Sequence, residues 1–404
     1  MRKFLSVIAA AMAAMMLCVP CAADENDVTL PSSNEEEPEL DLQTEGDYTY
    51  VMLTNAEDST KKAVCIEQYT GTESNLVLPD EINGYPVVML GDQCFGGNKI
   101  VKRVELPKSL EALGKFTFAE CTELEEYAVA EGNTAFQAAE GILYAENKTV
   151  LLRYPAAKKA ESFTVPEDVT SIGNVAFAYS DMKTITLPDG LKSIGSMAFG
   201  DCQNLTEITV PPLVESIPEY CFYRCKALKT ADLSSNITSI GFAAFACTNI
   251  ASIDLPTALV SIGEAAFVDT PMKSITISSK VTDIGYTAFG FRLAADQSFV
   301  VGDGFVIRGT AGSAAERYTT DEENMGAATF EPINAVSTTK AASVQQQQPK
   351  DEGTSIGRWI GIIVCSVLLA GIVVLAAVLG VKRKKQNQES ASEAEPEKTE
   401  EASE

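Results

Sequence analysis

Histidine is absent from all 404 residues of the sequence. Histidine is the commonest general acid–base in enzymes and the commonest metal ligand. Its absence therefore excludes catalysis by histidine and any site built on imidazole. Catalysis by carboxylates does not need histidine, but no pair of acidic residues stands out from the rest of the sequence. We predict that the protein is not an enzyme and that it uses no metal and no cofactor.

Basic residues are scarce relative to acidic ones. The chain has 31 Lys and Arg against 56 Asp and Glu, which gives a formal net charge of −25. A protein that binds nucleic acid needs a basic surface that neutralises phosphates, so the charge balance argues against a nucleic-acid partner. A large excess of one charge is typical of a soluble, exposed surface.

A pattern of 22 or 23 residues repeats through the middle of the chain. A phenylalanine recurs at this interval, and an isoleucine precedes it by five residues in each copy. The phenylalanines are Phe177, Phe199, Phe222, Phe245, Phe267 and Phe289, and the isoleucines are Ile172, Ile194, Ile217, Ile240, Ile262 and Ile284. A repeat of this length indicates a solenoid, and we predict about eight turns over residues 75–290.

One repeat is too small to fold alone. Each copy supplies about six apolar side chains, whose burial contributes roughly 1.5–3 kcal/mol each. Ordering the backbone of one copy costs roughly 1–2 kcal/mol per residue. Neighbouring turns must therefore share a core and strand-to-strand hydrogen bonds. In one copy the six side chains are Met182, Ile185, Leu187, Leu191, Ile194 and Phe199.

Proline and glycine mark the ends of the local elements. Apolar and polar residues alternate from Ile208 to Val210, which predicts a strand, and Pro211 ends it because proline has no N–H to donate. Glycine follows the repeat isoleucine in most copies, as a tight turn favours. Pro218 takes its place in one copy, so we predict a local irregularity there. Strands are expected at Ile185, Ile208, Ile253 and Ile275.

The repeat unit resembles a known family. Leu-x-x-Ile-x-Leu-Pro, followed by Ile-Gly-x-x-Ala-Phe-x-x-Cys-x-x-Leu, is similar to the BspA-like leucine-rich repeat of microbial surface proteins, over roughly residues 75–289. The resemblance implies a β-rich, curved solenoid with a strand in every turn. It also implies a role in cell-surface attachment or in binding host or neighbouring-cell molecules, but the repeat itself specifies no ligand chemistry.

Other segments flank or interrupt the repeats. We predict a β-hairpin at 48–74 that caps the exposed first edge of the solenoid. A second hairpin is inserted near 130–160, either as a variant of one turn or as a projecting contact surface. Residues 291–335 resemble a C-terminal cap of strand, short helix and strand, and the pattern Ser313-Ala-Ala-Glu316 is typical of a capping box.

The two ends of the chain indicate export and anchoring. Residues 1–23 fit a secretion signal, with an uncleaved membrane helix or a lipoprotein signal as alternatives. Residues 359–381 carry no charge, are long enough to span a bilayer, and are followed by a basic cluster that places the tail, 382–404, in the cytoplasm. We expect a single-pass protein of the cell membrane with an extracellular array. An acidic disordered spacer at 24–47 and a low-complexity linker at 336–357 complete the chain.

Seven of the ten cysteines lie between the predicted signal and the predicted linker, and six of these follow the repeat. Three of them stand three residues after the motif phenylalanine: Cys121, Cys202 and Cys225. The pattern predicts a ladder of buried thiols that act as small apolar side chains. Disulfides between neighbouring turns are the alternative, which the odd number of cysteines disfavours.

Outward-facing strand positions predict the ligand face. They stack into two columns, suited to sugar hydroxyls or to a basic patch on a protein. The alternative is that threonine occurs there because it favours β-structure. Aromatic residues are missing from the columns, which weakens the carbohydrate version, and strand rows about 4.8 Å apart supply too few oxygens for a cation. One column is Thr184, Glu207, Thr230, Ser252 and Ser274, and the other is Thr186, Thr209, Asp232, Asp254 and Thr276.

Three functions are compatible with these features. The favoured one is a membrane-anchored surface protein that recognises an extracellular protein or glycan through the solenoid face. The second is an envelope scaffold or spacer without a foreign ligand. The third, a carboxylate-dependent hydrolase, has no supporting acid pair, and function must be argued from a site.

Overall fold

A computed structural model describes residues 41–54, 60–295, 298–324 and 326–333. The predicted signal, linker, membrane segment and cytoplasmic tail lie outside these residues, as does most of the acidic spacer. Within the described ranges, no helix is long and apolar enough to cross a membrane.

The chain winds through two ladders of parallel strands. The first, which we call the front ladder, holds the strands of the Leu-x-x-Ile-x-Leu segments. Its strands are β4 (Asn75–Val77), β7 (Arg103–Leu106), β9 (Glu126–Val129), β13 (Ser162–Thr164), β15 (Thr184–Thr186), β17 (Glu207–Val210), β19 (Thr230–Leu233), β22 (Ser274–Ile277), β26 (Phe305–Gly309) and β27 (Ala328–Pro332). They pair in three groups, β4 to β9, β13 to β19 and β22 to β27.

The second ladder, the Ile-Gly ladder, is built mostly from two-residue strands that end at the repeat isoleucine. Its strands are β3 (Lys62–Tyr69), β6 (Tyr85–Leu90), β8 (Ala112–Leu113), β12 (Val150–Arg153), β14 (Ser171–Ile172), β16 (Ser193–Ile194), β18 (Ser216–Ile217), β20 (Ser239–Ile240), β21 (Ser261–Ile262) and β23 (Asp283–Ile284). These also form three paired groups, β3 to β8, β12 to β16 and β18 to β23.

The remaining elements lie near the ends and in the insertion. The strands are β1 (Gln43–Glu45), β2 (Tyr48–Thr54), β5 (Glu81–Ile82), β10 (Phe136–Ala139), β11 (Ile142–Ala145), β24 (Phe291–Leu293) and β25 (Phe299–Val301). Among the described residues they are accompanied by one α-helix, α1 (Ala314–Thr320), and by 3₁₀ turns at Glu146–Lys148 and Glu322–Asn324. As predicted, β2 and β3 form an antiparallel hairpin.

The solenoid has about 12 turns, more than the eight that the repeat predicts. The difference arises at the ends, because segments expected to be separate caps continue the parallel stacking. Strand β3 of the hairpin pairs in parallel with β6, and β26 and β27 extend the front ladder beyond β22. Parallel pairing over the last turns satisfies backbone groups that would otherwise face solvent.

The insertion is a variant of one turn. Strands β10, β11 and β12 pair antiparallel in sequence, and β12 then joins β14 in parallel on the Ile-Gly ladder. Tyr144 is 3% exposed and Leu151 is fully buried. Of the two alternatives, the structure therefore selects the packed hairpin over the projecting one.

Helix α1 begins where the capping pattern predicts, but neither hydrogen bond of the capping box forms. Ser313 is the N-cap residue and its hydroxyl makes no capping hydrogen bond. Glu316 accepts a hydrogen bond at 2.6 Å from the N–H of Gly312, one residue before the expected donor. A buried hydrogen bond instead fastens the helix to the array, from the Tyr318 hydroxyl to the Phe289 carbonyl at 2.7 Å.

The motif phenylalanines stack along the axis of the core. From Phe177 to Phe289, neighbouring ring centroids lie 5.1–5.4 Å apart with interplanar angles of 4–16°. Because each ring is covered by the rings of the adjacent turns, its apolar area is removed from water only when the turns stack. This is the shared core that a single repeat cannot supply.

The glycine after the repeat isoleucine is required for a reason other than the predicted tight turn. Its φ lies outside the left-handed region, and the positive φ falls two residues further on, at Ala243 or Ala265 for example. A Cβ at Gly263 would lie 2.6 Å from the carbonyl carbon of Gly241 and from the backbone nitrogen of Phe242. The turns thus approach too closely for any side chain at this position.

Pro218 interrupts the Ile-Gly ladder, as predicted. In other copies the glycine N–H donates to the isoleucine carbonyl of the preceding turn, for example Gly241 to Ile217 at 2.8 Å. Proline has no N–H, and strands β16 and β18 on either side of this step are not paired.

The strand expected at Ile253 is not formed. Strands occur at Ile185, Ile208 and Ile275, whereas residues 252–255 have no strand pairing although Ile253 is buried. The copy that holds Ile253 is one residue shorter between its phenylalanine and its strand position than the copy before it. The copy that holds Ile185 has the same short spacing and still forms β15, so the spacing alone does not explain the missing strand.

Candidate functional site

The front ladder brings several of the predicted ligand-face residues together. Thr184, Glu207 and Thr230 occupy directly paired positions on β15, β17 and β19. Thr209 pairs with Asp232 in the second column. Thr186 ends β15 and pairs with Thr164 of the preceding turn.

The other four predicted residues continue the columns less regularly. Ser252 and Asp254 are exposed but lie outside any strand. Ser274 and Thr276 lie on β22 and pair with Val306 and Arg308 of β26. All ten predicted residues are exposed or half-buried, so the face is accessible along its length even where the ladder is broken.

Ion pairs occupy both ends of the front ladder. Near its start, Arg103 contacts Glu105 at 2.8 Å and Glu126 at 3.5 Å. Near its end, Arg308 contacts Glu331 at 2.9 Å. These pairs are partly exposed and contribute little to stability, but they neutralise the acidic groups at each end.

The middle of the ladder lacks this neutralisation. Glu207, Asp232 and Asp254 form no ion pair with any residue of the described ranges. The described residues also contain no group of three acids or thiols placed to hold a metal ion. The centre of the face thus presents small hydroxyls and unpaired carboxylates, which are hydrogen-bond acceptors for a cationic partner.

The cysteine column is a structural feature of the core. The seven cysteines of the described ranges are free thiols, and six of them are buried. Sγ of Cys121, Cys202 and Cys225 each lies 3.0–3.1 Å from the phenylalanine carbonyl of the preceding turn. The thiols are therefore hydrogen-bond donors as well as the small apolar groups that the pattern predicted.

Burial makes several of the cysteine thiols poor nucleophiles. It raises the pKa of Cys121 and of Cys65 to about 12, and in Cys65 a hydrogen bond to the Glu67 carboxylate adds to the effect. Burial also raises the pKa of Cys225 well above its usual range. Because the thiolate is the reactive form, Cys65, Cys121 and Cys225 are poor nucleophiles at neutral pH.

Half-buried aromatic side chains line the solenoid outside the two columns, and the sequence reasoning missed them. Tyr220 packs edge-on against Tyr223 and Phe242, with centroids 5.6 and 5.1 Å apart. Phe116 and Tyr220 both stand two residues before a motif phenylalanine and both have a positive φ. That fixed spacing is the signal that would have revealed them.

A family model for the BspA type leucine-rich repeat region matches residues 74–140 and 158–292 in six copies, which together make up half of the chain. The chain belongs to this family. The unmatched stretch between the two ranges coincides with the insertion around β11 and β12. No curated protein matches the chain.

Solved structures of bacterial repeat proteins are similar to the chain at low identity. A leucine-rich repeat protein from Bacteroides ovatus has 20% identity and a TM-score of 0.40, with 72% of this chain and 79% of that chain covered. A leucine-rich cell surface protein from Faecalibacterium prausnitzii has 20% identity and a TM-score of 0.33, with 61% and 73% covered. The pneumococcal vaccine antigen PcpA has 16% identity and a TM-score of 0.38, with 72% and 99% covered.

Proposed function

We propose that this BspA-type protein is a membrane-anchored, non-enzymatic cell-surface protein that recognises an extracellular protein through the front ladder. The observation that carries the proposal is the unpaired acidic centre of the exposed columns, at Glu207, Asp232 and Asp254, between ends that carry ion pairs. In this proposal residues 1–23 direct export and residues 359–381 anchor the chain.

A basic patch on a protein is the partner that fits this face best. Complementary charge steers association and orients the bound partner, and the net charge of −25 extends the attraction beyond the contact itself. Small Thr and Ser side chains leave the strands accessible and offer hydroxyl groups to a partner backbone. A glycan would require aromatic platforms, which the two columns lack.

The test is binding of the purified full chain to a panel of matrix proteins, glycans and microbial cells. One variant combines Glu207→Gln, Asp232→Asn and Asp254→Asn on the front ladder. The matched control combines Asp189→Asn, Glu215→Gln and Asp283→Asn, which removes the same number of exposed acids from elsewhere on the solenoid.

We expect saturable binding to a basic protein that weakens roughly tenfold or more in the front-ladder variant and is retained in the control. Binding that survives the front-ladder substitutions would place the site elsewhere. No binding to any member of the panel at micromolar concentration would favour the scaffold role.

A further inference from the structure

The stacking of turns is interrupted between the turn of Phe118 and the turn of Tyr154. Phe118 stacks on Phe95 and meets Tyr127 edge-on, whereas Tyr154 begins the next stack on Phe177. Strand β8 pairs with β6, and β12 pairs with β14, but β8 and β12 are not paired with each other. The insertion that separates these turns in sequence leaves a seam between them on the Ile-Gly ladder.

Arg153 is buried at this seam. It ends β12 and is 7% exposed. Its Nη1 donates to the carbonyls of Leu152 and Asn174, both at 2.7 Å, whereas its buried Nε has no hydrogen-bond partner in the described structure. None of the ion pairs among the described residues includes it.

A buried guanidinium without a counter-ion is costly, since its charge has lost water and gained no opposite charge. The lack of a carboxylate partner for Arg153 is unusual in a chain that has 56 acidic residues. A bound anion would supply the missing negative charge, and a guanidinium binds planar carboxylates through paired hydrogen bonds.

Arg153 is one of the residues that line an open cleft of about 380 Å³, and no acidic side chain lines this cleft. Its lining includes a second cation, Lys115, whose side chain is exposed, and the polar side chains of Ser171 and Asn174. Phe116 adds a half-buried aromatic ring. The volume is within the range of small-ligand sites.

We propose that this seam cleft binds the carboxylate of a uronic-acid sugar. Arg153 and Lys115 receive the carboxylate, Ser171 and Asn174 are placed for the ring hydroxyls, and Phe116 offers an apolar surface to the sugar ring. The lining groups are of three kinds: cations, polar side chains and an aromatic ring. A sugar acid can contact all three, whereas the carboxylate of an acidic peptide side chain contacts only the cations. The cleft lies on the Ile-Gly ladder and does not depend on the front-ladder proposal.

The test is calorimetric titration of the full chain with trigalacturonic acid. Its methyl-esterified form, which has the same sugar rings without the charge, and a glutamate-rich peptide are titrated in parallel. The variants are Arg153→Met and Lys115→Met, with Arg292→Met as the control, since Arg292 is an exposed arginine of the last turns. Lys115→Met changes an exposed side chain, so the test stands even where Arg153→Met fails to fold.

We expect saturable binding of trigalacturonic acid that weakens about tenfold or more in Lys115→Met and in folded Arg153→Met, and is unchanged in Arg292→Met. The methyl ester and the peptide should bind about tenfold more weakly or not at all. Absence of binding at millimolar concentration overturns the proposal, and so does binding that Lys115→Met leaves unchanged. Equal affinity for the ester or for the peptide also overturns it.

Discussion

At the scale of single residues, the position three after the motif phenylalanine carries a buried or half-buried thiol or hydroxyl group in successive copies. Thiols at this position donate to a phenylalanine carbonyl of the preceding turn, and the threonines donate to the phenylalanine of their own turn. The residues are Cys121, Ser180, Cys202, Cys225, Thr248 and Thr270. Cysteine and threonine at this position therefore both donate to a motif phenylalanine carbonyl, but to the carbonyls of different turns.

Substitution of Cys121 separates hydrogen bonding from packing. Cys121→Ser keeps a second donor for the Phe95 carbonyl, whereas Cys121→Ala removes it and leaves that oxygen with the N–H of Asn98 as its donor. One hydrogen bond contributes about 0.5–1.5 kcal/mol to stability, so we expect the alanine variant to be less stable than the serine variant by about this amount. Urea unfolding of both variants measures the difference, and equal midpoints would show that the thiol acts only as an apolar filler.

Asp201 is expected to lower stability at neutral pH. Burial raises the pKa of its carboxyl above the ordinary value, and the attraction of Arg224 at 3.4 Å offsets this only in part. The folded state holds the Asp201 proton more tightly than the unfolded state does. The loss of stability therefore begins as the pH rises above the pKa of Asp201 in the unfolded chain, and it is complete above the raised pKa of the folded state.

Asp201→Asn should therefore raise the free energy of unfolding at pH 7, by about 1 kcal/mol or less, and leave it nearly unchanged at pH 3. The asparagine can still accept the hydrogen bond that Gln203 donates at 2.9 Å. Thermal unfolding at both pH values checks this, and an equal or larger gain at pH 3 would contradict it.

At the scale of the element, the spacing between turns depends on close backbone contacts along the Ile-Gly ladder. A Cβ at Gly263 would meet the backbone of Gly241 and Phe242, both at 2.6 Å. Gly190 instead follows a front-ladder strand, β15, and a Cβ there would have its nearest neighbour, the Glu167 carbonyl oxygen, at 3.8 Å. The two glycines therefore differ in the free space around them.

Gly263→Ala should destabilise the protein by about 1–3 kcal/mol, as overpacking does. Gly190→Ala should be neutral or stabilise it by up to about 1 kcal/mol, because alanine restricts the unfolded chain. Unfolding midpoints of the two variants give the comparison. A Gly263→Ala variant as stable as Gly190→Ala would show that the turns can separate at little cost.

At the scale of the whole molecule, the described residues form two large clusters of buried side chains and two small ones. One large cluster includes Phe95 and Phe118, and the other extends from Ile142 to Ala328 and includes Tyr154 and the phenylalanines that follow it. The seam at Arg153 lies between the two phenylalanine stacks. In repeat proteins, stability is a sum over neighbouring turns, so an interrupted contact separates units that open independently.

Phe95→Ala and Phe245→Ala should therefore act on different halves. Each removes a buried ring, at a cost of about 3–5 kcal/mol. Native-state hydrogen exchange should show faster opening of β3 to β9 in the first variant, with β13 to β22 unchanged, and the reverse in the second. If hydrogen exchange became equally faster in all strands of either variant, the turns on the two sides of the seam would be shown to unfold together.

The repeat period, the strand segments, the stacked phenylalanines and the family could all be determined from the sequence alone, because a solenoid repeats the same local pattern in every turn. The missing strand at Ile253, the extra turns at both ends and the role of the repeat glycine depended on tertiary structure. Strand pairing and close backbone approach are set between turns rather than within them. The same holds for Arg153. In sequence it is one residue of an inserted hairpin, and only the packing of the turns on either side of the seam buries its charge beside an open cleft.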